Sequence, residues 1–184
     1  MSSPKFPKMK LKSELTMPLE KVVEFCRLFD ENDIQIWLDG GWGVDALLEE
    51  QTRRHADLDI AIKRKDVPRL RQLLGARGYK DLERNDTRPW NFVLQDDNGH
   101  EIDVHAMVID KSGNGVYGPP EKGVYFPSAS LTGTGRIGDQ SVRCISPEWV
   151  VKFHNGYKLH DTDFHDINAI CQKFNIELPD EYKK

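Results

Sequence analysis

Apolar and polar positions repeat with two different periods along the chain, and these periods separate the predicted helices from the predicted strands. Apolar residues at helical spacing predict helices over residues 18–32, 42–50, 66–76, 147–155 and from about 163 onward. Alternating positions and short apolar runs predict strands over residues 34–38, 57–62, 79–82, 90–95, 100–108 and, at a sheet edge, 141–145. The Gly- and Pro-rich residues 110–138 predict a long surface loop with one short strand at 124–126.

The turn at residues 97–99 decides the register of a predicted hairpin. A two-residue loop would bring apolar residues of the first strand onto the face that carries Asp103. A three-residue loop, with Gly99 in the left-handed conformation, instead pairs Val93 with Asp103 and Asn91 with His105. We therefore predict the three-residue loop, because it keeps the apolar residues of both strands on one buried face.

The composition is that of an ordinary folded protein. With 184 residues, 38% hydrophobic and 30% charged, the chain has room for one compact domain with an appended helical part. No apolar run approaches the roughly 20 residues of a membrane-spanning helix, and the start lacks the apolar segment of a signal peptide. We therefore expect a cytoplasmic protein with no membrane partner. The net charge of −4 argues against nucleic acid as a partner, and the three widely spaced cysteines indicate neither disulfides nor a zinc ribbon.

Acidic residues lie on one face of two predicted strands. Asp57 and Asp59 point the same way because side chains alternate along a strand, and Asp103 is flanked on its own face by Glu101 and His105. If the two strands are neighbours, the three aspartates converge, and carboxylates at that density repel one another unless a hard cation lies between them. Because Mg²⁺ prefers a few carboxylates together with phosphate oxygens, the pattern predicts a metal site for a phosphorylated substrate.

A glycine pair precedes these aspartates at a strand–helix junction. Gly40 and Gly41 follow the strand at 34–38 and precede the helix at 42–50. Backbone amides at such a junction can approach a phosphate, because glycine has no Cβ to block it. Alone, a Gly-Gly pair is more often a plain turn. Followed by Asp57 and Asp59, it predicts a phosphate pocket.

Further polar and aromatic residues are candidate ligands for a nucleotide or its acceptor. Arg53 and Arg54 are either a solvated charge pair or bidentate contacts to the outer phosphates of a nucleotide. Lys158 is a candidate phosphate contact, and Tyr157 is a candidate for stacking on a base or sugar. Other candidate substrate-binding residues are Glu101, His105 and Trp42. The acidic residues near the last helix are interpreted as capping and first-turn charges: Asp161, Asp163 and Asp166.

Several segments together resemble a known enzyme family. They are Leu38-Asp39-Gly40-Gly41-Trp42-Gly43-Val44-Asp45, Gln51-Thr52-Arg53-Arg54-His55-Ala56-Asp57-Leu58-Asp59-Ile60, Glu101-Ile102-Asp103-Val104-His105, Leu131-Thr132-Gly133-Thr134-Gly135 and Ser146-Pro147-Glu148-Trp149. They resemble the small antibiotic nucleotidyltransferases of the polymerase-beta superfamily, most closely the lincosamide nucleotidyltransferases and next the aminoglycoside 2''-nucleotidyltransferases. The likeness runs from about Val22 to Phe174. Its glycine and Asp-x-Asp signature is specific for the superfamily and much less specific for the substrate.

The resemblance implies an α/β (α+β) fold, with a mixed twisted sheet flanked by helices and a polymerase-beta-like core followed by C-terminal helices. It implies Gly40 and Gly41 at the triphosphate, Asp57 and Asp59 holding Mg²⁺, and Asp103 as the third carboxylate and base. One departure is the glycine at position 41, where the superfamily usually has serine. The antibiotic-modifying members share this departure, so backbone amides must replace the serine contact.

The resulting hypothesis is Mg²⁺-dependent transfer of a nucleoside monophosphate, AMP from ATP, to a hydroxyl of a lincosamide, an aminoglycoside or another small molecule, with release of pyrophosphate. The expected cofactors are two Mg²⁺ ions, with ATP or another nucleoside triphosphate as co-substrate. The expected organisation is a tail at 1–17, a nucleotidyltransferase core at 18–110 and a C-terminal part at 111–184 that completes the substrate pocket, in a possible homodimer. The alternatives are a metal-dependent phosphohydrolase, a non-catalytic nucleotide-binding module and, within the same class, AMPylation of a protein.

Overall fold

Helices and strands are interspersed along the chain. The computed structural model describes residues 16–119, 121 and 124–183. The helices are α1 (Leu19–Glu31), α2 (Gly40–Leu48), α3 (Val67–Gly75), α4 (Pro147–Phe153) and α5 (Asp161–Phe174). The strands are β1 (Ile36–Leu38), β2 (Asp57–Lys63), β3 (Lys80–Leu82), β4 (Asn91–Gln95), β5 (Glu101–Ile109), β6 (Gly115–Tyr117), β7 (Val124–Phe126), β8 (Gly133–Ile137) and β9 (Gln140–Cys144). Short 3₁₀ helices lie at Arg64–Asp66, Ser128–Thr132 and Asp180–Tyr182.

Within the described residues, the strands form one mixed sheet. Its order is β3-β4-β5-β2-β1-β9-β8, and β6 pairs with both β5 and β7. Strand β2 runs parallel to β5 and β1 runs parallel to β9, while the other pairs are antiparallel. The predicted mixed sheet flanked by helices is confirmed.

The segment predicted as a long surface loop contains more strand than expected. The short strand at 124–126 is confirmed, but β6 and β8 also lie within residues 110–138. The strand predicted at 141–145 is β9, and its predicted edge position is wrong, because β9 lies between β1 and β8. The glycines of this segment were interpreted as loop residues, but Gly135 has a different role. A Cβ on Gly135 would lie 2.1 Å from the carbonyl oxygen of Ala46. Glycine is required there because β8 packs directly on the backbone of α2.

The hairpin of β4 and β5 has the predicted register. Val93 pairs with Asp103 and Asn91 pairs with His105. Gly99 has φ +86°, which is the left-handed conformation that the three-residue loop requires. As a result, Asp103 lies on the face opposite to the buried apolar residues of this hairpin, which are Phe92, Leu94, Ile102 and Val104.

Helix α2 is enclosed by the rest of the fold. It packs against β2, β8 and α5. Val44, Ala46 and Leu47 are at most 3% exposed, which is typical of a helix that is covered on all sides. This packing places the N-terminus of α2 beside β2 and brings the C-terminal helix close to it.

The chain enters the core at Met17. This residue is 1% exposed, and its N–H donates to the carbonyl of His55 at 2.9 Å. Residues 1–15, most of the predicted tail, lie outside the described residues. Among the residues that are described, no helix is long and apolar enough to cross a membrane.

Candidate active site

Asp59 and Asp103 meet across the parallel strands β2 and β5. The register places Asp59 opposite Asp103 and Asp57 opposite Glu101. One potential ligand atom from each of Asp59, Asp103 and His105 lies within 4.8 Å of the other two. The predicted convergence of the three aspartates is confirmed for Asp59 and Asp103. Within the described part of the chain, Asp57 is not a member of this cluster, although it lies on the same face of β2.

Burial and mutual repulsion raise the pKa values of these carboxylates. Desolvation raises the pKa of Asp59 well above its ordinary value, and the charges of Asp57, Asp39 and Asp103 raise it further. Desolvation also raises the pKa of Asp57 and that of Asp103. Oδ1 of Asp103 is buried and accepts no hydrogen bond from any described residue. A hard cation fits both observations, because it neutralises the charge and gives the oxygen a partner.

The raised pKa of Asp59 predicts a pH-dependent effect of substitution. A carboxyl group whose pKa is raised by folding contributes its full stability only below the unfolded-state pKa of about 4, and this contribution is lost as the pH rises through the folded-state value. In metal-free protein, Asp59→Asn is therefore expected to be more stable than wild type at about pH 8 and similar to it near pH 4. The measurement is the thermal unfolding midpoint with a chelator across this range.

Adding Mg²⁺ supplies the internal control for that experiment. At the higher pH, Mg²⁺ should raise the unfolding midpoint of the wild type more than that of Asp59→Asn, because binding to the folded state stabilises it. A variant that is less stable than the wild type at the higher pH, without metal, would show that Asp59 carries no burial penalty.

The glycine pair forms the first turn of α2. The predicted helix start at residue 42 is wrong, because α2 begins at Gly40 and Asp39 caps it by accepting a hydrogen bond from the Gly40 N–H at 2.8 Å. The first hydrogen bond of the helix joins the N–H of Gly43 to the Asp39 carbonyl at 2.9 Å. The N–H of Gly41 lies before it in the chain and therefore has no acceptor within the helix. Gly40 has φ +54°, and a Cβ there would lie 2.2 Å from Oδ2 of Asp59. The turn therefore requires glycine and lies directly against the acidic cluster.

A buried aspartate–histidine pair lies behind this turn and was missed in the sequence. Asp45 and His55 are 1% and 3% exposed, and the carboxylate of Asp45 is hydrogen-bonded to Nε2 of His55. The other oxygen of Asp45 accepts from the N–H and hydroxyl of Thr52 at 3.0 and 2.7 Å. A Cβ on Gly41 would lie 2.1 Å from Nδ1 of His55, so the imidazole packs against the turn. A carboxylate inside the apolar run of α2 was the available signal.

Trp42 is part of the hydrophobic core. Its side chain is 1% exposed, and its ring centroid is 4.6 Å from that of His55. This burial leaves little of the side chain for contact with a substrate, and substrate binding by Trp42 stays a prediction. The helix starts before position 42, and this turns the side chain inward.

Arg53 is held by a buried aspartate of α5. Its Nε and Nη2 donate to the two carboxylate oxygens of Asp166 at 2.9 and 2.6 Å, and Asp166 is 3% exposed. The interpretation of Asp166 as a first-turn charge is wrong, whereas Asp163 does cap α5 by accepting from the N–H of His160 at 2.7 Å. Arg54 is exposed, and its carbonyl accepts from Arg53 Nη1 at 3.2 Å.

Glu101 is engaged by protein donors. It is 8% exposed, and its two oxygens accept from Arg84 and, at 2.9 Å, from Gln95. Although burial raises the pKa values of Asp57 and Asp103, the charge of Arg84 opposes this increase at both residues. This arrangement favours a role for Glu101 in holding Arg84 beside the acidic cluster over direct contact with substrate.

His105 borders the acidic cluster on its other side. Its Nδ1 lies 3.2 Å from the hydroxyl oxygen of Tyr117, and this hydroxyl donates to Oδ1 of Asn91 at 2.8 Å. Carboxylate oxygens suit Mg²⁺, whereas imidazole suits softer metals. His105 is therefore better placed to contact a substrate than to bind Mg²⁺.

Tyr157 and Lys158 lie in the segment between α4 and α5. Both are exposed, and the ring centroid of Tyr157 is 6.4 Å from that of His154. Lys158 forms no ion pair with any described residue. Their contacts with a nucleotide stay predictions.

Comparisons with known proteins place the chain in one enzyme family. The aminoglycoside-2''-adenylyltransferase family model matches residues 21–170. The lincosamide resistance protein of Staphylococcus haemolyticus is 34% identical over 143 residues, which cover 78% of this chain and 88% of that protein. The lincomycin-bound crystal structure of the lincosamide antibiotic adenylyltransferase LnuA has a TM-score of 0.75 and 29% identity, over 88% of this chain and 99% of that chain.

A more distant structure shows the same fold. The crystal structure of ANT(2'')-Ia in complex with adenylyl-2''-tobramycin has a TM-score of 0.68 at 19% identity, over 85% of this chain and 88% of that chain. The resemblance in the sequence is thus confirmed by a family match over most of the chain and by a curated relative of similar length. The chain belongs to the aminoglycoside-2''-adenylyltransferase family and is a nucleotidyltransferase.

Proposed function

We propose that this enzyme transfers AMP from ATP to a hydroxyl group of a lincosamide, an aminoglycoside or a similar small molecule, with release of pyrophosphate. The observation that carries the proposal is the contact between the glycine turn and the acidic cluster. The first turn of α2, at Gly40, lies against Oδ2 of Asp59, and Asp59 in turn clusters with Asp103. A phosphate bound at that turn would lie next to the carboxylates.

Asp57, Asp59 and Asp103 are the residues that would hold Mg²⁺. The fit rests on the unpartnered Oδ1 of Asp103 and on the raised pKa values that burial gives all three carboxyl groups. Bound Mg²⁺, as one ion or two, would polarise the phosphate oxygens and neutralise their charge.

Asp103 is the proposed general base. It would take the proton of the acceptor hydroxyl while the hydroxyl oxygen forms a bond to the α-phosphorus of ATP and the bond to the β-phosphate oxygen breaks. Desolvation raises the pKa of Asp103, which makes its carboxylate more basic than an exposed one.

The triphosphate is proposed to bind at the start of α2. The N–H of Gly40 is used by the Asp39 cap, whereas the N–H of Gly41 has no acceptor among the described residues and would be available to a phosphate. The positive end of the helix dipole also favours an anion there. Arg53, Arg54 and Lys158 would neutralise the outer phosphates and the departing pyrophosphate.

The acceptor is proposed to bind against the part of the chain at 111–184. A continuous row of edge-on rings leads there from His105 beside the carboxylates. Tyr117 lies 5.6 Å from His105, Phe126 lies 5.9 Å from Tyr117, and Phe153 lies 5.7 Å from Phe126, measured between ring centroids. Such a row gives an apolar wall for the body of a small molecule. A homodimer that completes this pocket stays a prediction.

The test is an assay for adenylylated products. The protein is incubated with ATP, Mg²⁺ and a panel of lincosamides and aminoglycosides, and mass spectrometry is used to detect an added AMP. We expect an AMP adduct and a matching amount of pyrophosphate with at least one acceptor. Phosphate release without any acceptor would favour the phosphohydrolase, and ATP binding without turnover across a broad hydroxyl panel would favour the non-catalytic module.

A further inference from the structure

Asp166 of α5 and Arg53 form a fork-to-fork ion pair that the proposed chemistry does not by itself require. Two parallel hydrogen bonds, at 2.9 and 2.6 Å, join the carboxylate to Nε and Nη2 of the guanidinium. The side chain of Asp166 is 4% exposed and that of Arg53 is 24% exposed. Bidentate pairs of this kind fix the orientation of the guanidinium as well as its position.

The pair leaves part of the guanidinium available. Arginine has five N–H donors, of which two go to Asp166 and one, on Nη1, goes to the carbonyl of Arg54 at 3.2 Å. The two remaining N–H groups, one on Nη1 and one on Nη2, have no acceptor among the described residues. They are therefore available to an anion from outside the protein.

The available end of Arg53 lies at the glycine turn. A Cβ on Gly41 would be 2.7 Å from Nη2 of Arg53, so the guanidinium lies beside the first turn of α2. Its charge also acts on the acidic cluster: burial raises the pKa of Asp59, and Arg53 opposes that increase. The guanidinium thus lies near both the helix N-terminus and the carboxylates.

We infer that Asp166 is a positioning residue that holds the Arg53 guanidinium beside the first turn of α2, with its remaining N–H donors directed at a bound triphosphate. This inference rests on the proposed function. Without Asp166, the guanidinium would keep only the hydrogen bond from Nη1 to the Arg54 carbonyl among its described contacts, and one such bond does not fix its orientation. The C-terminal helix α5 therefore contributes to the nucleotide site through Arg53 and without touching the nucleotide.

The test measures nucleotide binding separately from catalysis. The ligand is an ATP analogue with a methylene group between the α- and β-phosphorus, with Mg²⁺, and its Kd is measured by calorimetry. Asp166→Asn is expected to raise this Kd about 10- to 100-fold, because a charge-assisted hydrogen bond to phosphate is weakened. The KM of the acceptor should stay unchanged. A role for Asp166 in the general packing of α5 predicts instead that acceptor KM and analogue Kd rise together.

Asp161→Asn is the matched control. Asp161 lies on the same helix, is exposed, and undergoes the same loss of charge. It should leave the Kd of the analogue unchanged, because it does not contact Arg53. An equal effect of Asp161→Asn and Asp166→Asn would overturn the inference, since the effect would then be one of net charge.

Arg53→Lys keeps the inference testable if Asp166→Asn fails to fold. A lysine keeps the charge beside Asp166 but cannot form the fork, so it should weaken analogue binding as Asp166→Asn does. Where both variants fold, the double variant should be no weaker than either single one, because both changes remove the same interaction. Wild-type affinity in Arg53→Lys would refute the positioning role.

The outcomes separate this inference from the proposed function. If the wild type binds the analogue and Asp166→Asn binds it equally well, the positioning role is wrong and the proposed function stands. If the wild type transfers no AMP and binds no analogue, both are wrong.

Discussion

Asp103→Asn is expected to lower the rate of AMP transfer by about 10³-fold, within the range found when a general base is removed. The substitution removes the proposed base and one of the charges that would hold the metal ion. Stability should not fall with activity, because desolvation and the repulsion from Asp57 raise the pKa of the Asp103 carboxyl in the folded protein. Asparagine carries no charge and avoids this penalty.

The measurement combines initial rates of AMP transfer with thermal unfolding midpoints. The matched control is Asp97→Asn in the turn of the same hairpin, where the side chain is 87% exposed and pairs weakly with Lys80 at 3.5 Å. The control should retain both activity and stability. Full activity of Asp103→Asn would remove the base from the mechanism, and a large fall in its unfolding midpoint would mean that the residue is structural.

The acidic cluster could be predicted because its causes are local. The alternation of side chains along a strand places Asp57 and Asp59 on one face, and the turn at Gly99 fixes the register that directs Asp103 away from the core. The structure confirms that register. The pairing of β2 with β5 was not predictable in the same way, because it joins distant parts of the chain. The sequence analysis had to assume this pairing, and the structure shows it.

The supports of the site could not be predicted, because they depend on tertiary contacts. Asp166 and Arg53 are 113 positions apart in the sequence, and no local pattern links them. A weak signal existed, since Asp166 lies four residues before the buried Ile170 and thus on the apolar side of α5. The same limit applies to β8, where Gly135 indicated a loop until its contact with the backbone of α2 was known.

Two buried carboxylates connect α2 and α5 to the segment that leads into the sheet. Asp45 connects α2 to the segment before β2, and Asp166 connects α5 to that same segment. Both carboxylates are at least nine-tenths buried and lie within hydrogen-bonding distance of residues between 52 and 55. The short segment that precedes β2 is therefore fixed from two sides, and the glycine turn packs against it.

Asp45→Ala is expected to be the most destabilising single change at this site, at about 3–5 kcal/mol of unfolding free energy, as found when one partner of a buried pair is removed. The carboxylate accepts from the N–H and hydroxyl of Thr52 and is hydrogen-bonded to Nε2 of His55. Alanine would leave the buried Nε2 of His55 and the two partly buried donors of Thr52 without this acceptor, and a buried polar group without a partner costs its desolvation energy. For a chain of this size the unfolding midpoint should fall by roughly 10 °C.

Asp45→Asn separates the loss of charge from the loss of hydrogen bonds. Its amide oxygen still accepts from Thr52, and its NH₂ group can donate to Nε2 of His55 if the ring carries its proton on Nδ1. We therefore expect a smaller loss of stability than in Asp45→Ala, measured by denaturant unfolding without metal or nucleotide. Glu50→Ala, at the exposed end of the same segment, is the control and should change stability by less than about 0.5 kcal/mol. Equal stability of Asp45→Ala and Glu50→Ala would mean that the hydrogen bonds of Asp45 do not stabilise the glycine turn. The contact of His55 with Gly41 would then depend on van der Waals packing only.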